Sequence, residues 1–248
     1  MGITADRFIE ILAVRHRVLL LGGLAIIAHG LDRMTRDVDI WLDPMADESV
    51  WSEALINALG EAPLARPYDL ALKQVITASG MPQVLAVCGV IRIMGLDRPV
   101  DVFRKPNNLE TADFEEVWQH ASISLGNVRV MDEIDMLLTK EGTQRAQDIA
   151  DISFLENKVH ACYERVLPGC SYADAEKMFN RYADAQVCEF ALRNPDKKVR
   201  ALAMKMLDCL AKDGNPYACE IFERYNRAGG YSIDGGPVQP SRPATCPP

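Results

Sequence analysis

The sequence has no cysteine pair spaced as CxxC, only four histidines, no long tract of like charge and no apolar run long enough to span a bilayer as a helix. Each absence removes a class of function. Seven cysteines, scattered as Cys88, Cys162, Cys170, Cys188, Cys209, Cys219 and Cys246, make no disulfide framework; they suit reduced thiols packed as small core residues in a cytosol. With His16, His29, His120 and His160 as the whole supply, no Ser-His-Asp or Cys-His nucleophile and no zinc spacing is recognisable. Thirty-five acidic residues against 27 basic ones give a net charge of -8, and the basic residues are unclustered. That disfavours nonspecific grip on nucleic acid and leaves room only for a local basic groove that takes a nucleotide or an RNA end. The apolar run at residues 18–28 follows Arg15 and Arg17 and resembles a signal-peptide core. Asp6 and Glu10 spoil a basic leader, no small-residue cleavage site follows, and Gly22-Gly23 breaks the run, so a cytoplasmic protein without a membrane partner is expected.

What is present suffices for one large domain or a core domain with a companion: 48% of 248 residues are hydrophobic. Residues 4–16 read as a helix with Thr4 as N-cap and Phe8, Ile9, Leu12 and Ala13 on one face. Residues 17–21 read as a short buried strand, and residues 24–29 as one or two helical turns ending at Gly30, with His29 at the helix end. DVDIWL at residues 37–42 alternates as a two-faced strand. A helix at 47–60, a loop region around Pro63 and Pro67, strand-like apolar segments at 84–90 and 100–103, and helices at 132–141 and 145–157 follow. This order predicts an α+β domain over residues 1–158, a mixed β-sheet flanked by helices.

Beyond Leu167-Pro168-Gly169 the texture is purely helical, which predicts an all-α C-terminal domain over residues 159–228. Ser171 with Asp174 resembles a capping box, Asn194-Pro195 and Asn215-Pro216 each put an N-cap before a first-turn proline, and Gly214 and Gly229 end helices. Val199, Leu202, Ala203, Met206, Leu207 and Leu210 form a helical stripe. The 21-residue spacing of the Asn-Pro starts hints at a repeat, but a helical hairpin or small bundle is the expectation. Residues 229–248, rich in Gly and Pro, read as a disordered tail.

The chemistry concentrates in Gly22-Gly23, thirteen intervening residues, and Asp37-Val38-Asp39-Ile40. Side chains two apart on a strand share a face with Cα atoms about 6.5 to 7 Å apart, so both carboxylates can converge on one cation. Magnesium takes oxygen ligands, usually one or two carboxylates with waters and phosphates, and a third carboxylate would complete a two-metal site. Asp101, in Val100-Asp101-Val102-Phe103, is the candidate third ligand or general base; Asp97, in a turn, fits less well. Gly22-Gly23, where a strand hands over to a helix, would let backbone N–H groups approach a phosphate, and Arg33 and Arg36, flanking Thr35, could hold phosphate oxygens.

The stretch LLGGLAIIAHGLDRMTRDVDIWLD resembles the signature of the nucleotidyltransferase superfamily related to DNA polymerase beta. In that signature Gly-Gly or Gly-Ser follows an apolar residue, and Asp-x-Asp or Asp-x-Glu comes after a short spacer. The Arg-x-Thr-x-Asp-x-Asp form at Arg33, Thr35, Asp37 and Asp39 is more similar to a bacterial branch that includes abortive-infection toxins. LLTKEGTQRAQDIADISFLE is similar to that branch's later Lys and Arg-x-x-Asp-x-x-Asp motif.

The resemblance covers residues 15–157 and implies a nucleotidyltransferase fold that binds a nucleoside triphosphate and Mg2+ or Mn2+. Asp37, Asp39 and Asp101 would be the catalytic metal ligands. Gly22, Gly23, Arg33, Thr35, Arg36, Lys140, Arg145 and Asp148 would contact the nucleotide or support the site, with Asp151 beside them. A nucleoside monophosphate would pass to an acceptor hydroxyl on an RNA end such as tRNA, a protein or a small molecule. A toxin with an antitoxin partner, or a phage-defence protein, is the context implied. Gly23 stands where serine is commoner, which removes a hydroxyl that could touch the terminal phosphate. The rival reading is a silent relative that uses the fold as a protein-interaction module, and the three intact carboxylates argue against it.

Overall fold

The computed structural model describes residues 3–45 and 47–227; the expected tail at 229–248 and the Gly229 helix end lie outside them. By its contacts the chain divides into two units, Met1–Glu156 and Asn157–Pro248. Among the described residues no helix is long and apolar enough to cross a membrane.

The first unit is a mixed α+β structure. It opens with α1 (Ala5–Ala13), β1 (Val18–Leu21), α2 (Gly22–Ala28), β2 (Val38–Leu42) and α3 (Glu48–Gly60). The edge strands β3 (Arg66–Asp69) and β4 (Gln74–Val75) precede α4 (Met81–Cys88), β5 (Val90–Met94) and β6 (Val100–Phe103). Then come α5 (Phe114–His120), β7 (Ile123–Leu125), β8 (Val128–Val130), α6 (Glu133–Lys140) and α7 (Ala146–Val166), inside which the boundary between the units falls. Local chemistry sets the starts: Thr4 Oγ1 accepts from Arg7 N at 3.2 Å, and Asp47 and Asp132 cap α3 and α6 in the same way.

The eight strands form one open sheet in the order β4-β3-β5-β6-β2-β1-β8-β7. β2 runs parallel to β6 and antiparallel to β1, while β1 is parallel to β8. Alternation along the central strands divides the side chains between two cores. Val38, Ile40 and Leu42 of β2, Ile91 and Ile93 of β5, and Val100 and Val102 of β6 pack with Phe8 of α1, Trp51 of α3 and Leu85 of α4. On the other face, Leu19 and Leu21 of β1 and Trp41 of β2 pack with Ile26 of α2, Phe114 and Trp118 of α5, Met136 of α6 and Leu155 of α7. Asp39, Arg92 and Asp101 alternate with the first set, so they belong to the second face.

Several expectations change. Residues 84–88, expected in a strand, end helix α4; Gly89, at φ 65°, turns the chain, and the strand is Val90–Met94. The Pro63–Pro67 region, expected as loop, contains β3, which pairs antiparallel with β5. α2 begins at the glycines rather than after them, and Asp37 lies in the bend before β2 rather than in the strand.

The second unit contains the end of α7 and then α8 (Tyr172–Arg181), α9 (Ala185–Ala191), α10 (Lys197–Lys212) and α11 (Pro216–Arg227). α10 packs against α8, α9 and α11 through Val199, Ala203, Met204 and Leu207, the inner part of the expected stripe. Ser171 caps α8 and Asn215 Oδ1 accepts from Ala218 N at 3.0 Å, as expected. Asn194 does not cap α10; Asp196 does. Asn194 is 2% exposed and braces the loop, donating to Leu167 O at 2.6 Å and Cys170 O at 3.0 Å. The Cys188 thiol, buried in this unit, is pushed up to about 12 by desolvation, in keeping with a packed, unreactive cysteine.

Candidate active site

The site starts where β1 hands over to α2. Gly22 has φ 60°, and a Cβ there would stand 1.9 Å from Asp39 Oδ2. A Cβ on Gly23 would stand 2.5 Å from Thr35 Oγ1 and 2.8 Å from Arg33 Nη2. Only glycine, therefore, leaves room for these three side chains to lie on the strand-to-helix turn. The close approach served here is to the protein's own Asp39, Thr35 and Arg33, a need that the sequence reading, which assigned the glycines to phosphate, does not contain.

Strand register then assembles the acids. Asp39 of β2 pairs across the parallel ladder with Asp101 of β6, and Asp101 pairs across the antiparallel ladder with Arg92 of β5. Directly opposed residues share a face with Cβ atoms about 5 Å apart, so Arg92, Asp101 and Asp39 form one row over three strands. Arg92 takes Asp101 in both arms: Nε donates to Oδ1 and Nη2 to Oδ2, each at 2.6 Å. Nη2 also lies 3.4 Å from Asp37 Oδ2. Thr35 Oγ1 braces the approach to β2, lying 3.1 Å from Asp37 O and 3.4 Å from Asp37 Oδ1.

Asp39 differs from its neighbours. Its half-buried carboxylate accepts no hydrogen bond from any described residue. Desolvation, then the charges of Asp37 and Asp101, push its pKa up to about 7, against the opposing pull of Lys140 and Arg92. A carboxylate with no donor beside two like charges is an anionic position that a hard cation would satisfy. Asp37 and Asp39 could together supply the one or two carboxylates that Mg2+ or Mn2+ takes from a protein. Asp101 is 5% exposed and has both oxygens on Arg92. In keeping with that pairing, among the described residues no group of three or more His, Cys, Asp or Glu side chains stands as a ready metal cage.

Behind the row lies an ionic network. Lys140, at the end of α6, donates from Nζ to Asp148 Oδ1 and Asp151 Oδ2, both at 2.8 Å. Asp148 and Asp151 are 3% and 1% exposed, respectively. Arg33 Nη1 reaches Asp151 Oδ1 at 2.6 Å and Oδ2 at 2.5 Å, and Arg145 Nε reaches Asp148 Oδ2 at 2.5 Å. Burial would raise the Asp148 pKa, but the hydrogen bonds from Lys140 and Arg145 outweigh it and hold the carboxyl below its ordinary value. Arg33 of the first motif is thus tied to Asp151 of the second, which gives a physical reason for both patterns occurring in one chain.

The remaining residues divide. Arg36, next to Asp37, is exposed, and no hydrogen bond or ion pair holds it among the described residues. The Arg145 side chain is 81% exposed, and no hydrogen bond holds its terminal nitrogens among the described residues. His29 follows the end of α2; its Nε2 lies 2.7 Å from Met131 O and its Nδ1 3.1 Å from Glu133 Oε1. The sequence reading missed Arg92, whose only signal is a lone charge in Val90-Ile91-Arg92-Ile93-Met94.

No family model matches the chain, and no curated protein matches it. Among solved structures, the chain is similar to the crystal structure of a protein called "putative nucleotidyltransferase from H. pylori". Identity is 13%, the match covers 90% of this chain and 95% of that one, and the TM-score is 0.35. A likeness of that degree says nothing about which residues react.

Proposed function

We propose that the first unit transfers a nucleoside monophosphate from a nucleoside triphosphate to an acceptor hydroxyl, with one Mg2+ or Mn2+ on Asp37 and Asp39. The observation that carries this reading is Asp39, a carboxylate with no donor among the described residues, beside two others, raised to about 7 and lying against Gly22 where a Cβ would collide with it. When bound, the cation would supply Lewis-acid stabilisation of phosphoryl oxygens.

The chain's own residues account for the rest. Among the described residues, Arg36 and the terminal nitrogens of Arg145 are uncommitted forked donors near the acids and would hold phosphate oxygens. Lys140, fixed by two buried carboxylates, places a positive charge near Asp39 without leaving its network. In the transfer, the acceptor oxygen forms a bond to the α-phosphorus, its proton passes to solvent water, and the bond to pyrophosphate breaks with the electron pair leaving on pyrophosphate. The acceptor is an RNA end, a protein hydroxyl or a small molecule. A toxin with an antitoxin partner is the context that the motif resemblance suggests.

Titration with labelled nucleoside triphosphates, with and without Mn2+, tests the reading. Metal-dependent binding that Asp39→Ala abolishes, with an unchanged circular dichroism spectrum, is expected. Binding independent of metal, or unaffected by Asp39→Ala, removes the site.

A further inference from the structure

Among the described residues Arg92 is the one cation that touches the acidic row directly. Its Nε and Nη2 hold both oxygens of Asp101, and Nη2 leans toward Asp37 at 3.4 Å, so the guanidinium bridges the first and third carboxylates. Among the described residues Asp101 and Asp37 are its only side-chain partners. Its position is set by β5–β6 register, directly opposite Asp101, rather than by a loop. The pair is partly desolvated, with side-chain exposures of 26% for Arg92 and 8% for Asp101, unlike a solvated cross-strand brace. Three carboxylates and one guanidinium leave two negative charges, which one divalent ion neutralises.

Resting on the metal-dependent reading above, we infer that Arg92 fills the place of a second cation. Asp101 is its ligand, and the site accepts a single divalent ion, on Asp37 and Asp39. Arg92 is thus a positioning residue that fixes Asp101 in the row and sets the number of ions. A guanidinium delivers one charge in a fixed plane and does not exchange with solvent, so the second positive charge is built in whatever the cation concentration.

Counting ions tests this without any turnover. The full chain is titrated with MnCl2 alone, and free Mn2+ is read by electron paramagnetic resonance. The wild-type chain is expected to bind one Mn2+ tightly, folded Arg92→Gln to bind two, and Arg92→Gln combined with Asp101→Asn to return to one. Two ions in the wild type, or one in folded Arg92→Gln, overturns the inference. If Arg92→Gln does not fold, Arg92→Lys keeps the charge and is expected to bind one; two would overturn it. No Mn2+ bound by the wild type would instead sink the metal site of the proposed function, and the inference with it.

Discussion

The Asp37, Asp39 and Asp101 row and the Lys140, Asp148 and Asp151 network both carry ionised side chains into the first unit, but they are balanced differently. In the network every buried carboxylate oxygen named has a cationic donor: Asp148 has Lys140 and Arg145, and Asp151 has Lys140 and Arg33. In the row, Asp101 is satisfied by Arg92, and Asp39 has no donor among the described residues and is pushed up to about 7. Internal neutralisation suits a support whose geometry must not change. A residual negative charge suits a position completed by something from outside.

Removing the network's centre should have the largest effect. Lys140→Met leaves two carboxylates that are 3% and 1% exposed without their shared cation. Breaking such a buried pair costs about 3–5 kcal/mol, to be read as a fall in the urea midpoint. A loss under about 1 kcal/mol would mean that the network is not what holds α6 to α7.

Gly22→Ala strikes the row through the backbone: the new Cβ would meet Asp39 Oδ2 at 1.9 Å in a residue at φ 60°. The expected cost is about 1–3 kcal/mol together with loss of Mn2+ binding, because Asp39 must move. Gly30→Ala is the control. Its φ is 107° but nothing lies within 4 Å of the added Cβ, so stability falls while Mn2+ binding persists.

The two regions should also respond to pH with opposite signs. Asp39 titrates near 7 in the folded chain against 3.8 ordinarily, so its favourable contribution is complete below about pH 4 and is lost as pH rises through 7. Asp148 is shifted down, so its contribution is present above its ordinary value and is lost as pH falls through the lowered one. Asp39→Asn should therefore stabilise the metal-free protein at pH 8 by about 1–2 kcal/mol and leave the acid limb unchanged. Thermal melts with and without Mg2+ check this: if wild type and variant respond equally to pH between 5 and 8, the row is not strained.

The smallest change in stability is expected for Arg36→Ala, within about 0.5 kcal/mol, because the side chain is exposed and holds nothing in the chain. Triphosphate affinity should nonetheless fall about tenfold, as for loss of one charged hydrogen bond. Equilibrium binding of a labelled triphosphate would show it, and unchanged affinity would take Arg36 out of the site.

How far the sequence could reach follows from which interactions are local. The alternation that makes a strand of Val38–Leu42, the Gly22-Gly23 break and the caps at Thr4, Ser171 and Asn215 depend on residues within a few positions of one another, and all are visible in the pattern; Asp37, expected in that strand, lies in the bend before it. Residues 84–88 could not be assigned by periodicity because a short apolar run fits a buried strand and a helix turn equally, and the packing of α4 against α3 favours the helix. Asn194 looked like a cap because it precedes a proline; the distant carbonyls of Leu167 and Cys170 claimed it instead.

By itself the sequence determined the α+β order with a helical C-terminal part and singled out Asp37 and Asp39 as neighbouring acids beside the Gly22-Gly23 turn, because these patterns lie within short stretches of chain. Tertiary structure decided the rest. Pairing of β5 with β6 put Arg92 opposite Asp101, pairing of β6 with β2 put Asp101 beside Asp39, and α6 with α7 buried Lys140 between two acids. Register and burial are properties of segments far apart in the chain, and they, more than the motif, set which carboxylates are neutralised and which one is left to bind.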